Sequence, residues 1–213
     1  MRLYKHMEGI SYEYSSADHE YSHPLLFTSV SALLKDIPEG ASVLDMGCGN
    51  GTFLSLFQNR GWKLYGADLS PTGIQIAQQT FPQINFFLAD VSAPTTEAFQ
   101  GLGPFDVILS TEVIEHLYNP RGLLRNAFRL LKPGGVLIVT TPYHGYLKNL
   151  LLALTGRLDS YFNVLWDHGH IKFWSRKTLS TVLIEAGFKD LQFYGCGRIS
   201  YIWNSMIFKA TKP

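Results

Sequence analysis

Short apolar runs alternate with longer segments in which apolar residues recur every three or four positions. The short runs predict strands near residues 42–46, 63–67, 84–88, 105–110 and 134–141. The longer segments predict helices near residues 25–34, 52–60, 71–80, 120–131 and 175–186. Strands that alternate with helices form a parallel sheet with helices on both faces, so we expect one α/β domain.

Two strand-like stretches near the C-terminus break this alternation. Phe188–Tyr194 and Tyr201–Lys209 are joined by residues 195–198, a connection that is too short for a crossover helix. We therefore expect the two stretches to pair as an antiparallel hairpin at one edge of the sheet.

Two further segments stand apart from the alternation. Residues 1–24 are rich in tyrosine and histidine without a sustained period, which predicts an N-terminal arm before a domain at 25–213. Residues 142–174 form a long insert after the fifth strand, where we expect a lid over a ligand. Its leucine-rich stretch 147–154 fits a lid or a core helix; a membrane-surface helix is disfavoured because few basic residues are available.

Composition narrows the class of protein. The 213 residues are 46% hydrophobic and 16% charged, as expected of one folded domain. A net charge of +1 with scattered lysines and arginines does not favour a nucleic-acid partner. With two cysteines, no apolar run of membrane-spanning length and no signal-peptide pattern, we expect a cytoplasmic protein without stable membrane insertion. A small molecule is the expected partner, and the oligomeric state stays open.

A glycine-rich loop follows the first predicted strand. Residues 43–51 read Val-Leu-Asp-Met-Gly-Cys-Gly-Asn-Gly, with glycines at alternate positions. Because glycine has no Cβ, the backbone can turn sharply there and bring its amides against a ligand. The loop predicts a nucleoside-bearing cofactor over the carboxyl end of the strand. A nicotinamide oxidoreductase is disfavoured, since its loop carries the different spacing Gly-x-Gly-x-x-Gly.

Acidic residues stand at the ends of the first three predicted strands. They are Asp45, Asp68 and Asp90. A carboxylate at such a position can accept hydrogen bonds from the two hydroxyls of a ribose. Because no lysine or arginine near the loop offers a counter-charge for a pyrophosphate, the pattern favours an adenosine without phosphates.

In order and spacing, these motifs resemble those of class I S-adenosylmethionine-dependent methyltransferases. The loop at 43–51, the acid after the second strand, Ala89-Asp90, the stretch Phe105–Leu117 and the segment Leu131-Lys132-Pro133-Gly134-Gly135 carry the resemblance, which spans roughly residues 25–190. It implies a single-domain, Rossmann-like sheet of seven strands, mostly parallel with an antiparallel C-terminal strand and helices on both faces.

The resemblance also implies how the cofactor is held. Asp45 and the loop residues are expected beside its methionine part, Asp68 at the ribose hydroxyls, and Asp90 at the adenine amine. The full implied set is Asp45, Gly47, Cys48, Gly49, Gly51, Asp68, Leu69, Asp90, Val91 and Thr111, with Leu69 and Val91 on the two faces of the adenine and Thr111 lining the pocket.

Within this family, two stretches resemble the branch that includes ubiquinone-biosynthesis O-methyltransferases. They are Thr-Glu-Val-Ile-Glu-His at 111–116 and His-Ile-Lys-Phe-Trp-Ser at 170–175. The branch implies a divalent metal such as magnesium at Glu112, Glu115 and His116, which one helical face would bring together. The alternative is that these side chains complement the helix N-terminus and make local hydrogen bonds. The chain departs from the branch because it has no arginine between Arg2 and Arg60.

The expected reaction is methyl transfer from S-adenosylmethionine to a small molecule, at oxygen of a phenolic or other hydroxylated compound. A hydroxyl acceptor benefits from a general base that titrates near neutral pH, and histidine is the natural side chain. The candidates are His116, His168 and His170. Methylation at nitrogen or carbon, and a non-catalytic protein that only binds the cofactor, are the alternatives.

Overall fold

A computed structural model describes residues 12–17, 23–94, 99–166 and 169–213. It contains a seven-stranded sheet in the order β3-β2-β1-β4-β5-β7-β6. The strands are β1 (Ser42–Met46), β2 (Lys63–Asp68), β3 (Asn85–Leu88), β4 (Phe105–Thr111), β5 (Leu131–Pro142), β6 (Lys189–Cys196) and β7 (Ser205–Thr211).

Helices connect most of the strands. They are α1 (His23–Leu33), α2 (Thr52–Ser55), α3 (Pro71–Thr80), α4 (Pro120–Leu130), α5 (Tyr146–Leu154), α6 (Leu158–Tyr161) and α7 (Arg176–Glu185). Short 3-10 turns lie at Gln58–Arg60 and Ile114–His116. Side chains cap several helix starts: Ser70 accepts a hydrogen bond from the amide of Gly73 at α3, and Ser175 forms a capping box with Thr178 at α7.

The sheet topology confirms the predicted fold class. Strands β1 to β5 are parallel, whereas β7 runs antiparallel to both β5 and β6. The C-terminal stretches therefore pair as the predicted hairpin, with β6 at the sheet edge. From β1 the chain proceeds to β2 and β3 on one side and to β4 and β5 on the other. The carboxyl ends of β1 and β4 thus flank the point where the strand order reverses, which is where open α/β sheets bind ligands.

Two hydrophobic clusters cover the two faces of the sheet. In β4, Ile108 packs into one cluster while Val107 and Leu109 pack into the other, and in β5 Leu137 and Ile138 separate in the same way. This alternation follows the two-residue period of a strand. Burial on both faces explains why the central residues of these strands, 107–109 and 136–139, are all apolar.

Asp106 is the acidic exception in the apolar strand β4, and it is satisfied at the amino end of the sheet. Its Oδ2 accepts hydrogen bonds from the backbone amide and hydroxyl of Ser42, each at 2.8 Å, and its Oδ1 lies 2.7 Å from Nζ of Lys132. Burial opposes ionisation, but the bonds from Lys132 and Ser42 outweigh it and lower the pKa of Asp106. One carboxylate therefore ties β1, β4 and the start of β5 together.

The insert after β5 differs from the core-helix alternative. Helix α5 exposes most of its leucines, with Leu154 74% exposed, yet it buries the side chain of Lys148. The leucines of 147–154 are therefore not core residues. Among the described residues, no helix is both long and apolar enough to cross a membrane.

Gly47 illustrates why the loop after β1 requires glycine. Its φ is 91°, a left-handed conformation that side chains disfavour. A Cβ on Gly47 would also overlap the methyl groups of Val113, a β-branched side chain with little rotamer freedom. Gly40 shares the left-handed conformation, with φ 80°, but has nothing within 4 Å of the position of a Cβ.

These two glycines give a matched test of the loop. We expect Gly40→Ala to lower the free energy of unfolding by about 1 kcal/mol, from backbone strain alone. Gly47→Ala should cost a further 1–3 kcal/mol or so, since Val113 must also move. Urea unfolding of both variants measures the difference. Equal losses in the two variants would show that the loop accommodates a side chain at Gly47.

Candidate functional site

Buried polar atoms that lack a hydrogen-bond partner within the described residues gather at one edge of the sheet. They lie at the carboxyl ends of β1, β4 and β5 or in the segment just after β5. The side chains include those of Asp45, Ser110, Thr111, Thr141, His144 and Asn149. Unpartnered buried polar groups are rare in folded proteins and cost about 1–3 kcal/mol each. Their concentration at this edge marks it as a ligand site.

The glycine loop is anchored to the end of β2. The backbone carbonyl of Ala67 accepts hydrogen bonds from the amides of Gly47 and Cys48, at 2.7 and 3.0 Å. The amide of Gly51 then donates to the carbonyl of Cys48 at 2.9 Å, closing the turn into α2. The loop therefore has a fixed shape before any ligand binds.

Asp45 closes β1 beneath this loop and is 1% exposed. Its Oδ1 has no hydrogen-bond partner among the described residues. Burial, with a smaller contribution from the nearby Asp68, raises the pKa of Asp45 to about 8. A cationic ligand group beside this carboxyl would favour its ionised form.

Asp68 bridges the loop to the start of α3. Its Oδ2 accepts a hydrogen bond from the amide of Gly49 at 2.9 Å, and its Oδ1 accepts one from the amide of Ser70 at 2.7 Å. Burial raises the pKa of Asp68 although these backbone amides favour its charge. Each carboxylate oxygen keeps a further lone pair for a ligand hydroxyl. Burial and Asp68 together also raise the pKa of the Cys48 thiol.

The turn after β3 carries Asp90 and Val91. Oδ1 of Asp90 accepts hydrogen bonds from the amide and hydroxyl of Ser92, each at 2.8 Å. The buried amide of Asn126 in α4 donates to the carbonyls of Val91 and Ala93 at 2.9 and 2.6 Å, which fixes the turn. Val91 is buried, and Leu69, at the end of β2, is partly exposed.

Part of the predicted N-terminal arm lies across the glycine loop. The amide of Asn50 donates to the carbonyl of Ser16 at 2.9 Å, and the hydroxyl of Ser70 donates to the carbonyl of Tyr12 at 2.6 Å. The ring of Tyr14 occupies the space that a side chain at Gly49 would need. Residues 12–17 thus cover one side of the loop.

Glu112 does not share a helical face with Glu115 and His116, contrary to the expectation from their spacing. It has a left-handed backbone, with φ 54°, and precedes the 3-10 turn Ile114–His116. Its Oε1 accepts a hydrogen bond from the hydroxyl of Thr140 at 2.7 Å. Its Oε2 accepts one from the hydroxyl of Ser205 at 3.3 Å. The helical offset fails because the chain is not helical at Glu112.

A different set of potential metal ligands comes together. Side-chain atoms of Glu115, His116 and His170 lie within 4.8 Å of one another, and Glu112 is not part of this group. Nε2 of His170 is 4.0 Å from Oε1 of Glu115, which is fully buried. Burial, and then the neighbouring His116, lower the pKa of His170 to about 4. An imidazole that stays neutral is suited to ligating a metal.

The insert folds back onto this group. Nδ1 of His116 lies 3.2 Å from the carbonyl of Gly169, and the amides of Ile171 and Lys172 donate to the carbonyl of Glu115, both at 3.0 Å. The ring of Trp166 contacts the rings of both His116 and His170. His168, the third predicted general base, lies outside the described residues.

Three polar side chains at this edge were missed by the sequence analysis: His144, Lys148 and Tyr161. The ammonium of Lys148 donates to the hydroxyl of Tyr161 and, at 2.9 Å, to the carbonyl of Trp203. Burial lowers the pKa of Lys148 to about 8, although Glu112 favours its charge. A histidine two residues beyond the end of β5 was the available signal, since side chains there lie at the carboxyl edge of the sheet.

Comparison with known proteins places the chain in a family. Residues 18–192 match a family model described as a methyltransferase domain. The chain is 36% identical over 119 residues to a ubiquinone biosynthesis O-methyltransferase of Caulobacter vibrioides, covering 55% of this chain and 47% of that protein. It thus spans about half the length of that relative. It is 35% identical over 173 residues to a protein of the same name from Cereibacter sphaeroides, covering 78% of this chain and 68% of the relative.

A solved structure shares the fold. The crystal structure of magnesium protoporphyrin IX methyltransferase from Synechocystis with bound SAH superposes with a TM-score of 0.69 at 18% identity, covering 100% of this chain and 95% of that one. S-adenosylmethionine is the cofactor of the family. With the glycine loop, the strand-end acids and a family match across most of its length, the chain belongs to the S-adenosylmethionine-dependent methyltransferases of the class I, Rossmann-like fold.

Proposed function

We propose that this protein transfers a methyl group from S-adenosylmethionine to a hydroxyl of a small, largely apolar acceptor. The observation that carries the proposal is the buried Oδ1 of Asp45, which has no hydrogen-bond partner among the described residues and lies by a preformed glycine loop where the strand order reverses. The names of the relatives, O-methyltransferases of ubiquinone biosynthesis, support oxygen as the methylated atom.

The residues present fit S-adenosylmethionine. Its methionine part carries a positive charge at the α-amino group and at the sulfonium, and Asp45 offers a buried carboxyl group on that side of the loop. Asp68 has lone pairs for the ribose hydroxyls, and the apolar side chains of Leu69 and Val91 suit the two faces of the adenine. Asp90 remains the proposed partner of the adenine amine.

The bound cofactor supplies an activated methyl group, whose transfer from the sulfonium is an in-line displacement. The protein's task is to align the acceptor oxygen behind the methyl carbon and to exclude water, which accounts for much of the acceleration. The insert supplies the walls of the acceptor pocket, with Tyr161, Phe162 and Phe173 packed around His144. Such walls favour an acceptor with a flat or apolar body.

The group Glu115, His116 and His170 is our proposal for a divalent-metal site. Two imidazoles and one carboxylate are a donor set typical of zinc, manganese or iron, whereas magnesium prefers oxygen ligands. His170 thus takes the place that the family resemblance implied for Glu112. His116 and His170 could instead act as general bases. A chelator distinguishes the two roles, because it removes a metal but leaves a general base intact.

Replacing Asp68 tests the cofactor site. We expect Asp68→Ala and Asp68→Asn to weaken binding of S-adenosylmethionine and of its demethylated product at least tenfold, since a charge-assisted hydrogen bond to the ribose is lost. Isothermal titration calorimetry measures both affinities. The matched control is Asp36→Ala, which removes an exposed carboxylate and should change neither affinity. Unchanged binding in both Asp68 variants would exclude Asp68 as the ribose ligand.

Asp45 predicts a pH dependence of cofactor binding. In the free protein its pKa is about 8, and a cationic ligand lowers it, so the complex binds fewer protons than the free protein. Affinity for S-adenosylmethionine should therefore rise with pH, by up to tenfold per unit, and level off above about 8. Titrations from pH 6 to 9 measure the trend, which Asp45→Asn should flatten. A pH-independent affinity in the wild-type protein would contradict the assignment.

Chelation tests the metal site. If a metal at Glu115, His116 and His170 holds the acceptor oxygen, EDTA should abolish methyl transfer, and added manganese or zinc should restore it. His170→Ala should bind metal more weakly by elemental analysis, while its affinity for S-adenosylmethionine stays at the wild-type value. Full activity in EDTA would exclude a metal and leave the histidines as candidate general bases.

A further inference from the structure

His144 is a buried histidine just beyond the carboxyl end of β5, and its ring nitrogens form no hydrogen bond with any residue that the structure describes. It is 8% exposed, and neither Nδ1 nor Nε2 finds a hydrogen-bond partner within the described residues. By contrast, Nδ1 of His116 lies 3.2 Å from the carbonyl of Gly169, and Nε2 of His170 lies 4.0 Å from Glu115. A buried imidazole carries one donor and one acceptor, so leaving both unused is costly unless a ligand uses them.

The surroundings of His144 are aromatic and come from the insert. Phe162 stacks on the imidazole with ring centroids 5.5 Å apart, while Phe173 and Tyr161 meet it edge-on at 5.2 and 5.8 Å. We call these three residues the aromatic cage. The cage surrounds the polar imidazole with apolar ring faces, and Tyr161 adds a hydroxyl that accepts a hydrogen bond from Lys148.

The charged groups near His144 keep it neutral. Burial is the main reason why the pKa of His144 is lowered to about 4. The positive charge of Lys148 in α5 contributes next, and the interaction with His170 contributes least. From α6, Tyr161 contributes a hydroxyl whose own pKa is raised to about 12 by burial and by Glu112, so that it is uncharged as well. At neutral pH the imidazole therefore has a free nitrogen lone pair.

His144 lies on the acceptor side of the proposed cofactor site. Strand β4 separates β1 from β5, and neighbouring strands are about 4.8 Å apart, so the ends of β1 and β5 are roughly 10 Å apart. His144 and the glycine loop therefore lie at the same edge of the sheet, on opposite sides of the end of β4.

We propose that His144 is a catalytic residue, which accepts the hydroxyl proton of a phenolic acceptor held in the aromatic cage. This inference rests on the proposed methyl transfer and adds the proton acceptor and the acceptor class. As the acceptor oxygen bonds to the methyl carbon, the bond from carbon to sulfur breaks and sulfur keeps the electron pair. The hydroxyl proton passes to the imidazole, giving a methyl ether, a neutral thioether and an imidazolium that later releases the proton to water.

The test compares His144→Phe and His144→Asn with the wild-type protein, using catechol and ring-substituted catechols as acceptors. We expect kcat to fall about tenfold to a hundredfold in both variants, because a base with a pKa of about 4 accelerates the reaction less than one that titrates near neutral pH. KM should rise in His144→Phe but stay near the wild-type value in His144→Asn, which keeps a hydrogen-bonding group. The loss in kcat should shrink as the pH approaches about 10, where phenols ionise without a base. Ile184→Ala, an exposed change on α7, is the control and should match the wild type.

Stability and cofactor binding separate the possible failures. His144→Phe keeps a ring and removes two buried nitrogens that bond to none of the described residues, so its Tm should equal or exceed that of the wild type. A clearly lower Tm would show that the nitrogens are bonded within the protein and would overturn the proposal. So would wild-type kcat in either variant, or no turnover of any catechol by a wild-type protein that methylates other acceptors. Failure of the wild-type protein to bind S-adenosylmethionine would instead refute the proposed function itself.

Discussion

A parallel sheet that is buried on both faces leaves little place for polar side chains within its strands, and this constraint organises the molecule. Within β4, the one carboxylate, Asp106, is fully engaged with Ser42 and Lys132 at the amino end. At the opposite end, where the strands stop and loops begin, several buried polar groups find no hydrogen-bond partner in the part of the chain that the structure describes. The polar group of β4 is thus satisfied at one end of the sheet, and the capacity to bind a ligand lies at the other.

The insert after β5 inverts the usual arrangement of an amphipathic helix. Its leucines face outwards while the ammonium of Lys148 is buried against Tyr161 and the carbonyl of Trp203. Such an arrangement serves no packing need of the sheet. It accompanies an aromatic cluster packed around His144, and the Lys148 charge helps keep His144 neutral.

Periodicity predicted nearly all of the sheet because strand burial imposes a local pattern. The boundaries of β1 and α3 agree with the prediction, and β5 begins three residues early because Leu131 pairs with Phe105 across the sheet. The glycine loop was predictable for a similarly local reason, because Gly47 adopts a left-handed backbone that favours glycine. The prediction that Glu112 shares a helical face with Glu115 and His116 was wrong, because Glu112 has a left-handed backbone and the prediction assumed a regular helix.

The sequence by itself determined the α/β sheet, the loop after β1 and the acids at the strand ends, because each depends on neighbours within a few residues. Tertiary structure alone decided which distant side chains meet. His170 of the insert lies beside Glu115 and His116. Glu112 instead accepts hydrogen bonds from Thr140 and Ser205. His144 is enclosed in the aromatic cage. These contacts depend on how a long insert folds back over the sheet, and no local periodicity encodes that path.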